Sequence, residues 1–468
     1  METKKTLLEL RKKNRLTQDE MAEKLMVTRQ AVSRWENGET VPSSDTLKII
    51  SMIFGISIND LLGQPQNNTC PSCGTPMNST ENSTAGSGRE TNAGNVGNIN
   101  NAGNTTNTGI HYNNNGGNMM KNILITGGAG FIGSNFIQYL LAPEFNYNLI
   151  NLDVLTYAGN LENLDTVKDS PRYTFIKGNI CDGRLLDEIF TKYNIDTVVN
   201  FAAETHVDRS IVDPDIFVKT NVTGTHALLE CAKKHWKKNP NDKYDREYTP
   251  GVKFIQVSTD EVYGTLGDKG LFTETTPLAP NSPYSASKAS ADMFVRAYNE
   301  TFGLPMNITR CSNNYGPYQF PEKLIPLMIS NCLKNKPLPV YGVGAQVRDW
   351  LYVEDHCSAI YAVMAKGSSG EVYNIGGNNE KQNIEVVRLL IKELGKTDEL
   401  IQYVKDRPGH DMRYAIDNSK ITSQLGWVPA YTFESGMKKT IDWYLGNNEW
   451  MDRVVSGEYE RYYSDMYS

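Results

Sequence analysis

Two pairs of side chains in this chain have the types and spacing for proton chemistry. Tyr284 and Lys288 stand four residues apart in the run PYSASKAS. On a helix, positions i and i+4 share a face. A lysine ammonium beside a phenol is expected to lower its pKa, so that a phenolate becomes accessible near neutral pH and can take a proton from a hydroxyl. Asp260 and Glu261 are adjacent in VSTDEVYG. Two carboxyls supply an acid and a base when their surroundings push their pKa values apart. Alone, a Tyr-x-x-x-Lys is common by chance and an Asp-Glu pair usually marks a solvated loop, so the weight of both depends on what precedes them.

About 150 residues upstream of Tyr284, ITGGAGFIG places Gly127, Gly130 and Gly133 at G-x-x-G-x-x-G spacing. The run follows an apolar strand and opens a helix. Such glycines let the backbone approach a pyrophosphate, and the helix N-terminus offers free amide donors. Asp153 lies 20 residues past the last glycine, at the end of the next apolar strand. A carboxylate there accepts the adenosine ribose hydroxyls and repels a 2′-phosphate, which predicts NAD rather than NADP.

The elements that must hold these groups are legible from Met119 onward. NILITGG, NLINLD, DTVVNFAAE and KFIQVSTDEVYG alternate with amphipathic helical stretches. That alternation predicts an α/β fold, a Rossmann-type doubly wound parallel sheet with a smaller C-terminal substrate lobe. Thr259, Asp260 and Glu261 then fall at the carboxyl end of a strand, where open α/β sheets bind ligands. Three segments are expected. Residues 1–64 read as a small all-α domain, residues 65–118 as a disordered linker rich in Asn, Gly, Ser and Thr, and residues 119–468 as the enzyme. Met119 and Met120 look like an older start site, as in a fused gene.

Net charge is -7 and no apolar run approaches the about 18 residues that a membrane span needs. The first residues, METKKTLLELRKK, contain no apolar signal core, so the expected location is the cytoplasm. Of seven cysteines only Cys70 and Cys73 are close together. They form half of a zinc knuckle; the other ligands are missing nearby, so no metal is assigned to them. The rest are scattered, as reduced core cysteines usually are.

Within residues 1–64, Thr17 and Glu20 form a capping box, Met21, Leu25, Val32 and Trp35 can share one core, Thr28 can cap the next helix and Gly38 can close it. This segment, about residues 6–62 with its SRWENG run, resembles the Cro/C1-type helix-turn-helix repressors. The resemblance implies that Gln18, Arg29, Gln30, Ser33 and Arg34 face DNA. Residues 1–64 hold ten basic and nine acidic side chains, a weak footprint for phosphate binding. The CxxC that follows resembles the zinc-ribbon half found after some such repressors.

The glycine spacing resembles the extended short-chain dehydrogenases/reductases. The whole span from about Lys121 to Ser468 resembles the dTDP-glucose 4,6-dehydratases, through YAGNLENL, NFAAETHVDRS, STDEVYG, PYSASKAS, CSNNYGPYQFPEKLIP, RDWLYVEDH and DRPGHDMRYAID. A related epimerase would share the glycines, Tyr284 and Lys288, but would not be expected to carry the Asp-Glu pair. The resemblance implies a cycle on dTDP-glucose. Tyr284, helped by Lys288 and Thr259, deprotonates the hydroxyl of carbon 4 while NAD accepts the hydride. Glu261 removes the proton of carbon 5, Asp260 protonates the hydroxyl leaving carbon 6, and the hydride returns to carbon 6. Asp260 must therefore stay protonated and Glu261 must not.

By the same resemblance Phe131, Ile132, Asp153, Val154, Leu155, Thr156, Ile180, Ala202, Ala203, Thr220 and Asn314 line the NAD site. Two positions depart from the family pattern: Asn179 stands where Asp is usual, and Thr205 where Ser is usual. The nucleotide-sugar pocket is implied to use Thr205, His206, Thr259, Asn313, Lys323, Leu324, Pro339, Tyr341, Arg348, Asn383 and His410. Lys323 and Arg348 suit phosphate oxygens, and Tyr341 suits stacking near a base. His206 lies with Arg209 in ETHVDRS and can equally be a core histidine. Both resemblances imply a homodimer. Alternative readings are a regulator that senses a nucleotide sugar, and a dehydratase acting on another nucleotide-glucose.

Overall fold

The computed structural model describes residues 2–61, except Arg15, Met26, Ser43, Gly55 and 57–60, then residues 120–406 and 410–454. The chain divides into two compact units, Met1–His111 and Tyr112–Ser468. The predicted linker 65–118, with Cys70 and Cys73, lies outside the described residues, as does Met119.

The first unit is helical. Its helices are α1 (Glu2–Lys13), α2 (Gln18–Lys24), α3 (Arg29–Asn37) and α4 (Ser44–Phe54). Both halves of the capping box form: Thr17 N–H donates to Glu20 at 2.7 Å, and Glu20 N–H donates to the Thr17 hydroxyl at 3.2 Å. Thr28 caps α3 by accepting from Ala31 N–H, and Gly38 ends it in the left-handed region at φ 77°. A side chain at that φ would be strained. Met21, Leu25, Val32 and Trp35 are all buried, together with Leu7, Leu10, Leu47 and Ile50. A buried pair also fixes α1 against α3: Arg11 donates to both carboxylate oxygens of Glu36, at 2.6 and 3.0 Å.

The second unit is built on a seven-stranded sheet. Its strands are β1 (Lys121–Thr126), β2 (Tyr147–Asp153), β3 (Tyr173–Lys177), β4 (Thr197–Asn200), β5 (Lys253–Thr259), β6 (Met306–Cys311) and β10 (Val372–Ile375). The order is β10-β6-β5-β4-β1-β2-β3, and every pairing is parallel. The chain winds outward from β1 in one direction through β3, returns to β4 on the other side, and continues. The switch point between β1 and β4 is where such sheets bind ligands.

Side-chain alternation along β1 shows why the sheet is covered twice. Ile123 and Ile125 pack on one face with helix α5 (Phe131–Leu141), while Leu124 packs on the other. That second face is covered by α6 (Gly183–Tyr193), α7 (Thr225–Trp236) and part of α8 (Pro283–Phe302). A strand buried on both faces is mostly apolar, and the buried polar residues it does carry pair with each other, as Asn200 does by donating to Gln256 at 2.9 Å and accepting from the Thr126 hydroxyl at 2.6 Å.

A separate core forms the smaller lobe. It contains Tyr315, Met328, Trp350, Val387 and Tyr444. Two small sheets brace it: β11 (Glu380–Gln382), β9 (Val347–Tyr352) and β7 (Asn313–Tyr315) in one, β12 (Ile401–Val404) and β8 (Leu338–Tyr341) in the other. Among the described residues no helix is long and apolar enough to cross a membrane.

Candidate active site

The glycine turn between β1 and α5 leaves no room for side chains. Gly127 has φ 68°, and a Cβ there would meet the backbone of Ala202 at 2.7 Å. A Cβ on Gly133 would meet the Gly127 carbonyl at 2.4 Å. Gly128, which lies outside the expected spacing, is just as constrained: its Cβ would meet Asn151 Oδ1 at 2.3 Å. Gly130 precedes α5, and no side chain caps that helix. Its first-turn amides are thus free of a side-chain cap, as an anion site at a helix start requires.

Asp153 ends β2 and is buried. Its carboxylate accepts from Ala129 N–H at 2.9 Å and from Leu155 N–H at 2.8 Å. Burial pushes this carboxyl up, and the two backbone donors oppose the shift. Leu155 adopts φ 58°, so the loop Val154–Thr156 folds back onto Asp153 in a conformation unusual for a side-chain-bearing residue. Ile180 is buried, whereas Asn179 is exposed and turns its side-chain oxygen to Cys181 N–H at 2.8 Å. Ala202 and Ala203 follow β4 at the switch point, and Thr220 lies in a π-helical segment, Val218–Gly224. The glycine turn, the uncapped helix start and the buried carboxylate at the end of β2 fit a dinucleotide.

Thr259 is the last residue of β5, and Asp260–Tyr263 form a 3-10 turn directly after it. The Thr259 hydroxyl accepts from Glu261 N–H at 3.3 Å and lies 3.3 Å from Asp260 Oδ1. Asp260 is fully buried, and its Oδ2 has no hydrogen-bond partner among the described residues. Burial holds this carboxyl well above its ordinary value, reinforced by Glu261 and Asp349; Arg348 opposes the shift. Glu261, one residue on, is only half-buried. One turn therefore carries a carboxyl in a dry site beside one that solvent reaches.

Tyr284 and Lys288 lie in the first turns of α8, which starts at a Ser282–Ser285 capping box with Pro283 in its first turn. A side-chain hydrogen bond links Tyr284 to Thr259, which joins the base candidate to the carboxyl pair. The expected electrostatics do not hold. Burial raises the Tyr284 phenol well above its ordinary value, and Glu261 and Cys311 act in the same direction. Lys288 is itself buried, its ammonium donating to the Val257 carbonyl at 2.7 Å, and burial lowers its own pKa. The depression expected from helix spacing alone is overruled by desolvation.

The buried acid has a consequence for stability. A carboxyl whose folded-state pKa is raised leaves stability intact below the unfolded value, near 3.8, and costs stability as pH rises above it. Asp260→Asn, which keeps the shape of the protonated acid, should therefore stabilise the fold at neutral pH. The gain should grow by about 1.4 kcal/mol per pH unit above pH 4, up to the folded pKa. Urea unfolding of parent and variant at pH 4 and pH 7 measures it; an equal difference at both pH values would contradict the account.

The residues assigned to the nucleotide-sugar pocket scatter more widely. Arg348 is buried on β9, donates to the Asp411 carbonyl at 2.9 Å and lies over the Tyr414 ring at 4.3 Å. It thus stands at the Asp260 end of the site. Asn313 and Asn383 each bury a side-chain oxygen that has no hydrogen-bond partner among the described residues. Asn314 is engaged by Ser312 and His356. Lys323 reaches across to the carbonyl of the exposed Thr205 at 3.1 Å. Tyr341 donates to Asp208 at 3.3 Å and meets the His410 ring edge-on, while His410 pairs with Asp406 at 2.5 Å. Pro339 is buried, and Leu324 packs against the lobe core. His206 is buried and caps the helix Val207–Val212 by accepting from Arg209 N–H. Arg209 stacks 3.8 Å from the Tyr157 ring and donates to Glu322.

Sequence reading missed Cys311, buried beside Asp260 and Lys288, and Tyr414, buried within the electrostatic reach of Glu261. Both sit inside runs that were recognised as informative, CSNNYGP and DMRYAID, but neither has a spacing signal of its own.

On the helical unit, Arg29, Gln30 and Arg34 are exposed and Ser33 is half-exposed along α3. Arg29 pairs with Asp19 at 3.5 Å. Gln18 departs from the expectation of an outward face: its amide donates to the buried Glu36 at 2.8 Å.

Known proteins with these features divide along the same line. Residues 124–440 match the family model described as GDP-mannose 4,6 dehydratase, and residues 7–61 match a helix-turn-helix model. A dTDP-glucose 4,6-dehydratase of Xanthomonas campestris pv. campestris (strain B100) is 56% identical over 349 residues, 73% of this chain and 97% of the relative. The crystal structure of a dTDP-glucose 4,6-dehydratase from Bacillus anthracis str. Ames in complex with NAD is 54% identical, with a TM-score of 0.65 over 71% of this chain and 99% of that one. A dTDP-glucose 4,6-dehydratase from Streptomyces venezuelae, also with NAD bound, is 47% identical with a TM-score of 0.66 over 71% and 99%.

Proposed function

Because this chain belongs to the family of NAD-dependent nucleotide-sugar 4,6-dehydratases and carries a helix-turn-helix segment ahead of the enzyme, we propose that it converts dTDP-glucose to dTDP-4-keto-6-deoxyglucose and water, and that its first unit binds DNA. The observation that carries the enzymatic reading is the asymmetric carboxyl pair, a buried Asp260 beside a half-buried Glu261.

Gly127, Gly130, Gly133 and Asp153 would hold NAD, which would supply the hydride acceptor and donor for sugar carbons 4 and 6. The chain's residues move the protons. Tyr284, once its phenol is ionised, takes the proton from the carbon 4 hydroxyl, a step that burial of the phenol makes dependent on pH. The ketone so formed acidifies the neighbouring carbon 5, and Glu261 removes its proton. Asp260, whose carboxyl burial shifts toward the protonated form, gives its proton to the hydroxyl leaving carbon 6. Lys288 anchors the base helix to β5 through the Val257 carbonyl. Asp153, Gly127, Gly130 and Gly133 hold the dinucleotide, and Lys323, Arg348, Asn313 and Asn383 serve the nucleotide sugar. The thymine base rests on the likeness to relatives of that name. Mass spectrometry of the full chain incubated with dTDP-glucose should show a sugar nucleotide lighter by one water; recovery of unchanged dTDP-glucose would overturn the proposal.

DNA binding rests on the helix-turn-helix match and on the exposed polar face of α3. Electrophoretic shift of the full chain at stated salt should show sequence-selective binding. Arg34→Ala should weaken it and lower the slope of affinity against salt by about one contact. Shifts independent of sequence would retire this part.

A homodimer is supported by an exposed apolar face on neighbouring elements, with Val212, Ile216, Val218, Met293 and Phe294 uncovered. Patches of this kind usually meet a partner. Sedimentation of the full chain as a monomer would contradict it.

A further inference from the structure

Away from the active site, Asp187, Cys231 and His235 bring an oxygen, a sulfur and a nitrogen within 4.8 Å of one another. Cys231 and His235 stand four residues apart on one face of α7, and Asp187 reaches them from α6. The His235 ring is held by Asp187, with Nε2 2.7 Å from Oδ1, and packs against Phe190 with ring centroids 5.3 Å apart. The same Asp187 oxygen receives the Lys234 ammonium at 2.5 Å. The set joins two crossover helices on the same face of the sheet.

We propose that Asp187, Cys231 and His235 form a binding site for a zinc-class divalent cation that staples α6 to α7. A thiolate and an imidazole select a borderline-soft ion such as Zn²⁺ or Co²⁺ over Mg²⁺ or Ca²⁺, and a single carboxylate completes three protein ligands of the usual four. Lys234 competes for Asp187 and must swing aside, which its mostly exposed side chain allows. Cys231 is largely buried, and on binding its thiol proton passes to solvent. This site is independent of the Cys70 and Cys73 pair, and neither depends on the dehydratase reading.

Cobalt substitution tests it. The full chain carrying Cys70→Ser and Cys73→Ser is titrated with Co²⁺, so that the other cysteine pair cannot contribute. A near-ultraviolet sulfur-to-cobalt charge-transfer band with visible tetrahedral bands is expected at one ion per chain. Cys231→Ser should abolish the charge-transfer band. His235→Gln and Asp187→Asn should each weaken binding by at least about ten-fold, and Lys234→Gln should tighten it by removing the competing ammonium. Zn²⁺ should raise the thermal midpoint of the Cys70→Ser/Cys73→Ser chain and leave that of the additional Cys231→Ser variant unmoved; circular dichroism confirms that each variant is folded. Absence of a thiolate band, a band that survives Cys231→Ser, or binding indifferent to both His235 and Asp187 would overturn the proposal.

Discussion

Glu261→Gln should lower turnover of dTDP-glucose by about 10²–10⁴-fold, the range for losing a positioned general base. The amide keeps the shape of the carboxylate but cannot take the proton from carbon 5. The side chain is half-buried on a 3-10 turn whose start is fixed by Thr259, so the substitution leaves the turn intact. Binding of the sugar nucleotide should change little, and KM with it. Exchange of the carbon 5 proton with solvent should disappear together with product. Retention of parental turnover would remove Glu261 from the role.

Tyr284→Phe should produce a loss of similar size, about 10²–10⁴-fold, by a different route. The proton on the carbon 4 hydroxyl then has no acceptor, so neither oxidation nor elimination proceeds. The pH profile separates the two variants. Burial and the nearby Glu261 raise the Tyr284 phenol. The parent's rate should therefore climb with pH as the phenol loses its proton, and the climb should be missing from Tyr284→Phe. A variant that keeps the same alkaline limb would assign the base elsewhere.

What was legible beforehand follows a physical rule: features set by neighbours in sequence were readable, and features set by burial were not. Both caps of the helix-turn-helix, Thr17 with Glu20 and Thr28, form because their donors lie three residues away. The glycine turn and Asp153 were readable because spacing along β1, α5 and β2 places them. The state of Tyr284 was not readable. Helix spacing predicted a lowered phenol, but the surroundings that bury it come from β5, β6 and the turn at Glu261. Asp260 owes its shift partly to Asp349, which arrives on a strand of the other lobe. Gln18 turned inward because Glu36, eighteen residues on, is buried and needs donors in addition to Arg11. Arg348 carries a charge suited to phosphate, yet the fold of β9 against Tyr414 brings it to the acid.

A glycine turn and a Tyr-Lys pair would serve inversion of a sugar hydroxyl equally well; what distinguishes dehydration is proton removal at carbon 5. The most direct measurement is therefore turnover of dTDP-glucose by the full chain in heavy water, read by mass spectrometry and proton NMR. The account predicts a 4-keto-6-deoxy product carrying solvent deuterium at carbon 5, through Glu261. A product without deuterium there, or a sugar altered only in configuration at carbon 4, would contradict it.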